Sequence, residues 1–268
     1  DADAFNQTIG FDTGSVTKMD YMLDGAVAFD QAISLDTGSV TNFGSMFQSA
    51  VALNSPLAID TGRCGTMSRM FQSASRFNQP LNFNTSHVRH MYAMFYNAID
   101  FNQPLAFDTG SVINMGYMLG GAFAFDLPLA FDTAIVERMD GMLIEATAFN
   151  QPLEFDTAIV ERMDSMLRGA SAFDQPFDFD VSRVTDMNSM LNDTSSLSSC
   201  NKRLIEDSLS ASTAWPYDWS DLCIAAAPAT TSPTTAPPNA PPPPPPPSPS
   251  PPGFWHEDVP VDTLPAAA

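Results

Sequence analysis

Aspartates recur in this chain at a fixed interval, and the residues around them invite a catalytic interpretation. An Asp-Thr-Gly triplet begins at Asp12, Asp36, Asp60 and Asp108. In aspartic proteases two such carboxylates share one proton. Here, however, the triplet recurs at multiples of 24 residues and becomes Asp-Thr-Ala in two further copies. We therefore interpret these aspartates as capping residues and not as the catalytic residues of a protease.

These aspartates form a ladder with one rung in each copy of the interval. Its members are Asp12, Asp36, Asp60, Asp108, Asp132, Asp156 and Asp180, with Asn84 as the neutral rung. Side-chain oxygens at such positions can accept from the N–H groups that start a helix. Rungs about 5 Å apart would repel one another unless each carboxylate is hydrogen-bonded or shares a cation. The ladder predicts helix capping, and the alternative is weak calcium binding or contact with a cationic partner.

The remaining reactive residue types form no catalytic constellation. His87 and His90 are three residues apart, but no third metal ligand is evident, so surface histidines are the better interpretation. No serine, cysteine or lysine has a base at a recognisable spacing, and no glycine-rich phosphate loop is present. A threonine column from Thr13 to Thr157 raises ice binding, which its width of one residue and its charged flanks disfavour. The sequence predicts neither an enzyme nor a cofactor.

The ladder belongs to a repeat that governs most of the chain. Starting at Phe5, eight copies of 24 residues run without insertion or deletion, and all fifteen methionines fall in two of their columns. In the fifth copy Leu105 and Phe107 lie two apart, which is the period of a strand. The following apolar residues have the spacing of one helix face: Val112, Met115, Met118, Leu119 and Ala122. Each copy therefore predicts a strand, a turn and a helix.

One such unit cannot bury both of its apolar faces, so the copies must stack. We predict an α/β fold, a right-handed βα solenoid of 24-residue units with a parallel sheet on one side and helices on the other. The phenylalanine and methionine columns would form its shared interior. The exposed side of the strand segments would carry small or polar residues: Gly10, Ser34, Ala58, Asn82, Ala106, Ala130, Glu154 and Asp178. This side is the predicted binding face.

A second ladder of amides and carboxylates predicts a structural role. Its rungs are Asn6, Asp30, Asn54, Asn78, Asn102, Asp126, Asn150 and Asp174. We expect them to satisfy backbone groups in successive copies. Glutamines follow most of these rungs, as Gln79 follows Asn78, and we expect them to do the same.

Composition and cysteine spacing divide the chain into three parts. Residues 1–196 are the predicted solenoid, preceded by the end of a truncated repeat, because the residues before Phe5 match those before Phe29. Residues 197–223 are a predicted cap, in which Cys200 and Cys223 would form a disulfide and imply an oxidising compartment. Residues 224–268 hold sixteen prolines and predict an extended linker, or a ligand for proline-reading domains. Cys64 lies in a valine column and predicts a buried thiol.

The net charge of −20 argues against phosphate-rich partners. A surface that binds nucleic acid or an anionic membrane needs the opposite sign. The sequence also holds no run of 18 apolar residues, so no membrane insertion is predicted. The charge suits solubility, cationic partners or divalent ions.

One stretch of the repeat resembles a known family. Its residues are Phe77-Asn78-Gln79-Pro80-Leu81, Asn84-Thr85-Ser86, Val88, Met91, Met94-Phe95 and Ala98. They resemble the repeat of BspA-like leucine-rich-repeat surface proteins, also known as a mycoplasma lipoprotein domain of unknown function. The tryptophan common in that family is replaced here, as at Phe83. The proline-rich tail and the cap are similar to versions in algal secreted proteins.

This resemblance covers about residues 1–196 and implies a leucine-rich-repeat-like solenoid that is exported or displayed on a cell surface. We therefore expect a non-enzymatic recognition or adhesion module that binds a protein or a polysaccharide through the predicted face. The alternative is a structural spacer without a ligand.

Overall fold

The computed structural model describes residues 3–223. The predicted linker, residues 224–268, lies outside the described residues, as do residues 1 and 2. Within residues 3–223 the only α-helix is α1, Ser199–Leu209. It begins after the last repeat, where the Ser198 side chain accepts from the N–H of Asn201.

The repeats stack in parallel and in register. Isolated parallel bridges join equivalent residues of successive units: Lys18, Asn42, Thr66, His90, Asn114, Arg138, Arg162 and Asp186. One further bridge joins Ile33 to Leu57 in the column of Leu105, where the sequence predicts the strand. In the part of the chain that the structure describes, most parallel bridges therefore lie later in the unit than the predicted strand.

The second half of each unit differs from the predicted helix. In the fifth copy Tyr117 and Gly121 have φ angles of 57° and 66°. A left-handed residue at every fourth position cannot continue the regular i to i−4 hydrogen bonding of an α-helix. The same left-handed conformation recurs in all eight units, at Tyr21, Ser45, Arg69, Ala93, Tyr117, Gly141, Ser165 and Ser189. The second half of each unit keeps the predicted spacing of apolar residues, but its backbone forms a series of turns.

Hydrogen bonding between units explains why turns replace the helix. The N–H of Tyr117 donates to the Asp140 carbonyl of the next unit at 2.8 Å, and the N–H of Leu119 donates to the Met142 carbonyl at 2.9 Å. The intervening amides close short turns, as Gly120 does by donating to the Tyr117 carbonyl at 3.1 Å. Every second N–H group is therefore used for stacking, and a helix would have kept these donors within the unit.

The interior consists of the predicted phenylalanine and methionine columns. Phe101 is fully buried, and its ring centre lies 6.2 Å from that of Phe77 and 6.1 Å from that of Phe125, with the rings nearly parallel. Met118 and Met142 are fully buried as well. All methionines belong to this interior, although Met22 in the first unit is only partly buried. The prediction of one shared core is confirmed at these positions.

The second ladder has the structural role that the sequence predicts. The Asn78 Oδ1 atom accepts from the N–H of Asn102 at 3.0 Å and from the Nε2 atom of Gln103 at 3.0 Å. Equivalent backbone bonds connect every pair of neighbouring rungs from Asn6 to Asp174, and Asp174 extends the series to the N–H of Ser198. Each unit is therefore tied to the next on this side by a side-chain acceptor.

Removing one rung of this ladder should destabilise the stack. We expect Asn78→Ala to lower the free energy of unfolding by about 1–2 kcal/mol, because two hydrogen bonds of about 1 kcal/mol each are lost. Asn82→Ala in the same unit is the matched control, since the Asn82 side chain is exposed and lies outside the ladder. Urea unfolding followed by circular dichroism measures both variants. Equal midpoints for the two would contradict the structural role of the ladder.

The cap closes the last repeat. Ile205 and Leu209 of α1 are fully buried and belong to the same core as Met190. The Tyr217 hydroxyl accepts from the N–H of Leu191 at 2.8 Å, which supplies one of the acceptors that a next unit would have provided. Glu206 is buried and accepts from the Trp215 indole N–H at 2.7 Å.

The cysteines are placed as predicted. Cys200 and Cys223 form a disulfide that joins the start of α1 to the end of the described residues. Cys64 is a free, buried thiol. Burial raises the pKa of the Cys64 thiol to about 11. This thiol therefore stays protonated at neutral pH and packs as a small apolar group.

Candidate functional site

The aspartate ladder lies on the surface and caps turns. The Asp108 Oδ1 atom accepts from the N–H of Gly110 at 3.2 Å, two residues further on. The same contact occurs at all eight rungs, including the neutral rung Asn84, whose Oδ1 atom accepts from the N–H of Ser86. This is the Asx-turn geometry. The expected capping role is therefore present, but it caps a turn where the sequence predicts a helix.

The threonine column lies beneath the ladder. Thr109 is buried, and its hydroxyl donates to the Asp132 carbonyl of the next unit at 2.9 Å. The same bond ties together consecutive units from Thr13 to Thr133. Ice binding would need an array of hydroxyl groups exposed to solvent. The described threonines of this column do not present one, because they are buried. They fix the spacing of the aspartates above them.

The predicted binding face is exposed along its length. Its small and polar members are all exposed: Gly10, Ser34, Ala58, Asn82, Ala106, Ala130, Glu154 and Asp178. The flanking aspartates are exposed too: Asp12, Asp36, Asp60, Asp108, Asp132, Asp156 and Asp180. We call these two columns together the acidic face.

Charge on the acidic face increases toward the cap. Small or neutral residues fill the first column until Glu154 and Asp178, which then lie beside Asp156 and Asp180 in the last two units. Hydrogen bonds from the N–H and the hydroxyl of Ser182 lower the pKa of the Asp180 carboxyl below its ordinary value. Asp180 is therefore ionised at neutral pH. The surface next to the cap is the most negative part of this face.

The groups on the acidic face do not converge on a metal. Among residues 3–223 no group of three or more histidine, cysteine, aspartate or glutamate side chains is arranged to hold a metal ion. His87 is exposed, and its Nδ1 atom lies 3.2 Å from the Ser86 hydroxyl. One carboxylate oxygen of each ladder aspartate is engaged with the backbone N–H two residues further on, as in Asp108 and Asp132.

A cavity lies where the acidic face meets the cap. It has a volume of about 520 Å³. Its lining includes Phe179, Asp180, Ser182, Ser208 and Thr213. Ser208 of α1 also donates to the Asp178 carboxylate, so the cap is fixed to the acidic face at this point.

Sequence reasoning missed a cluster of tyrosines on the turn segment. Tyr92, Tyr96 and Tyr117 come from two neighbouring units and line a cavity of about 240 Å³ together with Arg69 and Gln72. We call these five residues the tyrosine pocket. The Tyr117 ring stands nearly perpendicular to the other two rings, at 67° to Tyr92 and 76° to Tyr96. The Arg69 guanidinium carbon lies 5.4 Å from the centre of the Tyr92 ring.

Glycines in the next units make room for these rings. A Cβ atom on Gly120 would lie 2.9 Å from the Tyr96 ring, and one on Gly141 would lie 2.5 Å from the Tyr117 ring. Each glycine follows its tyrosine by 24 residues. A tyrosine followed by glycine in the same column is the sequence signal that could have revealed the pocket.

The electrostatic surroundings of the tyrosine pocket are mixed. Burial and the nearby carboxylates of Asp140 and Asp164 raise the pKa of Tyr117, so its phenol stays protonated at neutral pH. Asp140 is itself buried and pairs with Arg138, whose Nε atom lies 2.9 Å from the carboxylate. The Oε1 atom of Gln72 is buried and has no hydrogen-bond partner within the described residues.

The described part of the chain contains no helix long and apolar enough to cross a membrane.

Comparison with known proteins identifies one family. The family described as "Mycoplasma protein of unknown function, DUF285" matches residues 1–106, 58–154 and 129–207, which overlap and cover the repeats and most of α1. No curated protein and no solved structure matches the chain.

Proposed function

Because the chain belongs to the DUF285 family of repeat proteins, whose function is unknown, we propose a role from the surfaces that its repeats build. We propose that the protein is a BspA-like, right-handed solenoid whose second side consists of turns. Its function is non-enzymatic recognition of a protein or glycan through the acidic face. The setting is extracellular or on a cell surface.

The observation that carries this proposal is the regular exposure of the acidic face. Its two columns are exposed in every unit, whereas the threonines between them and the core are buried. Hydrogen bonds from these threonines to the next unit hold the aspartates at a constant spacing. Such a surface is preorganised, which lowers the entropy lost on binding. Its low relief suits an extended loop or chain with cationic groups.

The disulfide supports the proposed location. Bonds such as Cys200 to Cys223 form and persist in oxidising environments, which include the cell exterior. The net charge of −20 also disfavours nucleic acid as a partner.

The test of this function uses changes that preserve the turns. Asparagine at position 84 makes the same Asx-turn contact as the aspartates, so Asp→Asn substitution removes charge and keeps the hydrogen bond. We expect a triple variant, Asp132→Asn, Asp156→Asn and Asp180→Asn, to bind the ligands found on protein and glycan arrays at least about tenfold more weakly, because it removes negative charge from the acidic face. A tenfold loss of affinity corresponds to about 1.4 kcal/mol of binding free energy. Asp24→Asn with Asp100→Asn is the control, since both lie outside the acidic face and are exposed.

The outcomes separate the alternatives. Reproducible array hits that weaken in the triple variant and persist in the control support recognition by the acidic face. Complete silence of the wild-type protein on both arrays would instead favour a structural spacer. Calorimetric titration with calcium addresses the remaining alternative, because binding heat that the triple variant abolishes would assign the ladder to the metal.

A further inference from the structure

We propose that the tyrosine pocket and the cavity beside it form a binding site for a glycan, which occupies them with two neighbouring pyranose rings. This site shares no residue with the acidic face, and its existence does not depend on the function proposed for that face.

The shape of the pocket fits one sugar ring. Its volume of about 240 Å³ is below the roughly 300–1,000 Å³ of pockets that enclose drug-sized ligands. The Tyr117 ring is nearly perpendicular to the Tyr92 and Tyr96 rings, and all three rings line the cavity. The three tyrosines are half-buried and Arg69 is exposed, so the pocket opens to solvent. A ring can enter while its chain continues outside.

The polar groups of the pocket fit a hydroxyl-rich ligand. Three phenol groups, an amide and a guanidinium offer both donors and acceptors. The apolar ring faces of the tyrosines complement the C–H faces of a pyranose. Arg69 adds one positive charge that can hold a carboxylate of an acidic sugar.

A second cavity extends the site along the stack. It has a volume of about 230 Å³ and shares Arg69 and Tyr92 with the tyrosine pocket. Its other lining residues include Tyr21, Asn42, Ser45 and Ser68. The two cavities therefore lie side by side and have nearly equal size. Two consecutive rings of one chain account for this repetition, whereas one compact ligand would leave half of the site unused.

The charges near the site disfavour polyanionic partners. Asp140 and Asp164 lie near Tyr117 and raise its pKa, and Asp20 lines the second cavity. A polyanion such as nucleic acid would be repelled by these carboxylates and by the net charge of the chain. The positive charge of Arg69 can accept a single acidic group. Neutral and uronic-acid glycans both fit this balance.

The experiment screens the full chain on a glycan array that contains neutral and uronic-acid oligosaccharides, together with a peptide array. Isothermal titration then measures each hit. We expect a hit with at least two linked rings, and we expect Tyr117→Ala to weaken it by about tenfold or more through loss of an aromatic wall. Arg69→Gln serves as the second variant, because Arg69 is exposed and its replacement leaves the core intact. It should weaken uronic-acid hits more than neutral ones.

Three results would overturn the proposal. The first is silence on the glycan array. The second is glycan binding that Tyr117→Ala and Arg69→Gln leave unchanged, whether or not the triple variant of the acidic face abolishes it. The third is binding of peptides only, lost in both pocket variants, which would assign the pocket to a protein partner. Phe123→Ala is the control for loss of an exposed aromatic residue elsewhere, and it should leave glycan affinity unchanged.

Discussion

Replacing Phe101 by alanine should lower the free energy of unfolding by about 3–5 kcal/mol, the usual cost of removing a buried phenyl ring. Phe101 has no exposed surface, and its ring contacts three others, with centre distances of 6.2 Å to Phe77, 6.1 Å to Phe125 and 4.1 Å to Phe95. The two neighbouring units hold the backbone in place through their hydrogen bonds, so the cavity can collapse only in part. Urea unfolding followed by circular dichroism measures the loss.

Phe123→Ala provides the matched control for this prediction. Phe123 is also a phenylalanine and lies in the same unit, but 41% of its surface is exposed. Its replacement should lower the free energy of unfolding by about 1 kcal/mol or less, since much of the ring is already in water. If both variants unfolded at the same urea concentration, the phenylalanine column would not be the interior of the stack.

The second large effect concerns the cap. Reducing the bond between Cys200 and Cys223 should lower the free energy of unfolding by about 3.5 kcal/mol in the chain-entropy model, given the 23-residue separation of the two cysteines. The cap would then detach more easily, and Ile205 and Leu209 would leave the core of the last repeat. Thermal unfolding with and without dithiothreitol measures the change.

A double variant, Cys200→Ser with Cys223→Ser, is the control for the action of the reductant. It should unfold at the lowered temperature in both conditions, because dithiothreitol then has no bond to break. Cys64 remains in this variant as a buried thiol, so any effect of the reductant on it would still be seen. A wild-type midpoint that dithiothreitol does not move would contradict a stabilising role for the bond.

The sequence predicts the interior and the ladders well because both depend on side chains at a fixed interval. Burial of Met118 follows from its column alone, and the hydrogen bonds of Asn78 follow from a rung that recurs in every unit. The disulfide follows from two cysteines that bracket a segment outside the repeat. In each case the information lies in the residue type and its spacing.

The backbone of the second half could not be predicted in this way. The spacing of Val112, Met115 and Met118 is the same for a helix and for the turns found here. What decides between them is the destination of the N–H groups, and this depends on the neighbouring unit: Tyr117 donates to Asp140, which is 23 residues away. The tyrosine pocket escaped prediction for a related reason, since Tyr96 and Tyr117 meet only after the units stack.

The backbone bonds between units also bear on how such a chain can change length in evolution. Donors such as Tyr117 face the following unit, and the carbonyls that receive them occupy the same columns in every copy. A duplicated or deleted segment of 24 residues therefore meets the same partners on both of its sides, provided that its orientation is kept. Unequal recombination at the level of the gene can lengthen or shorten the protein while the cap and its disulfide stay as they are.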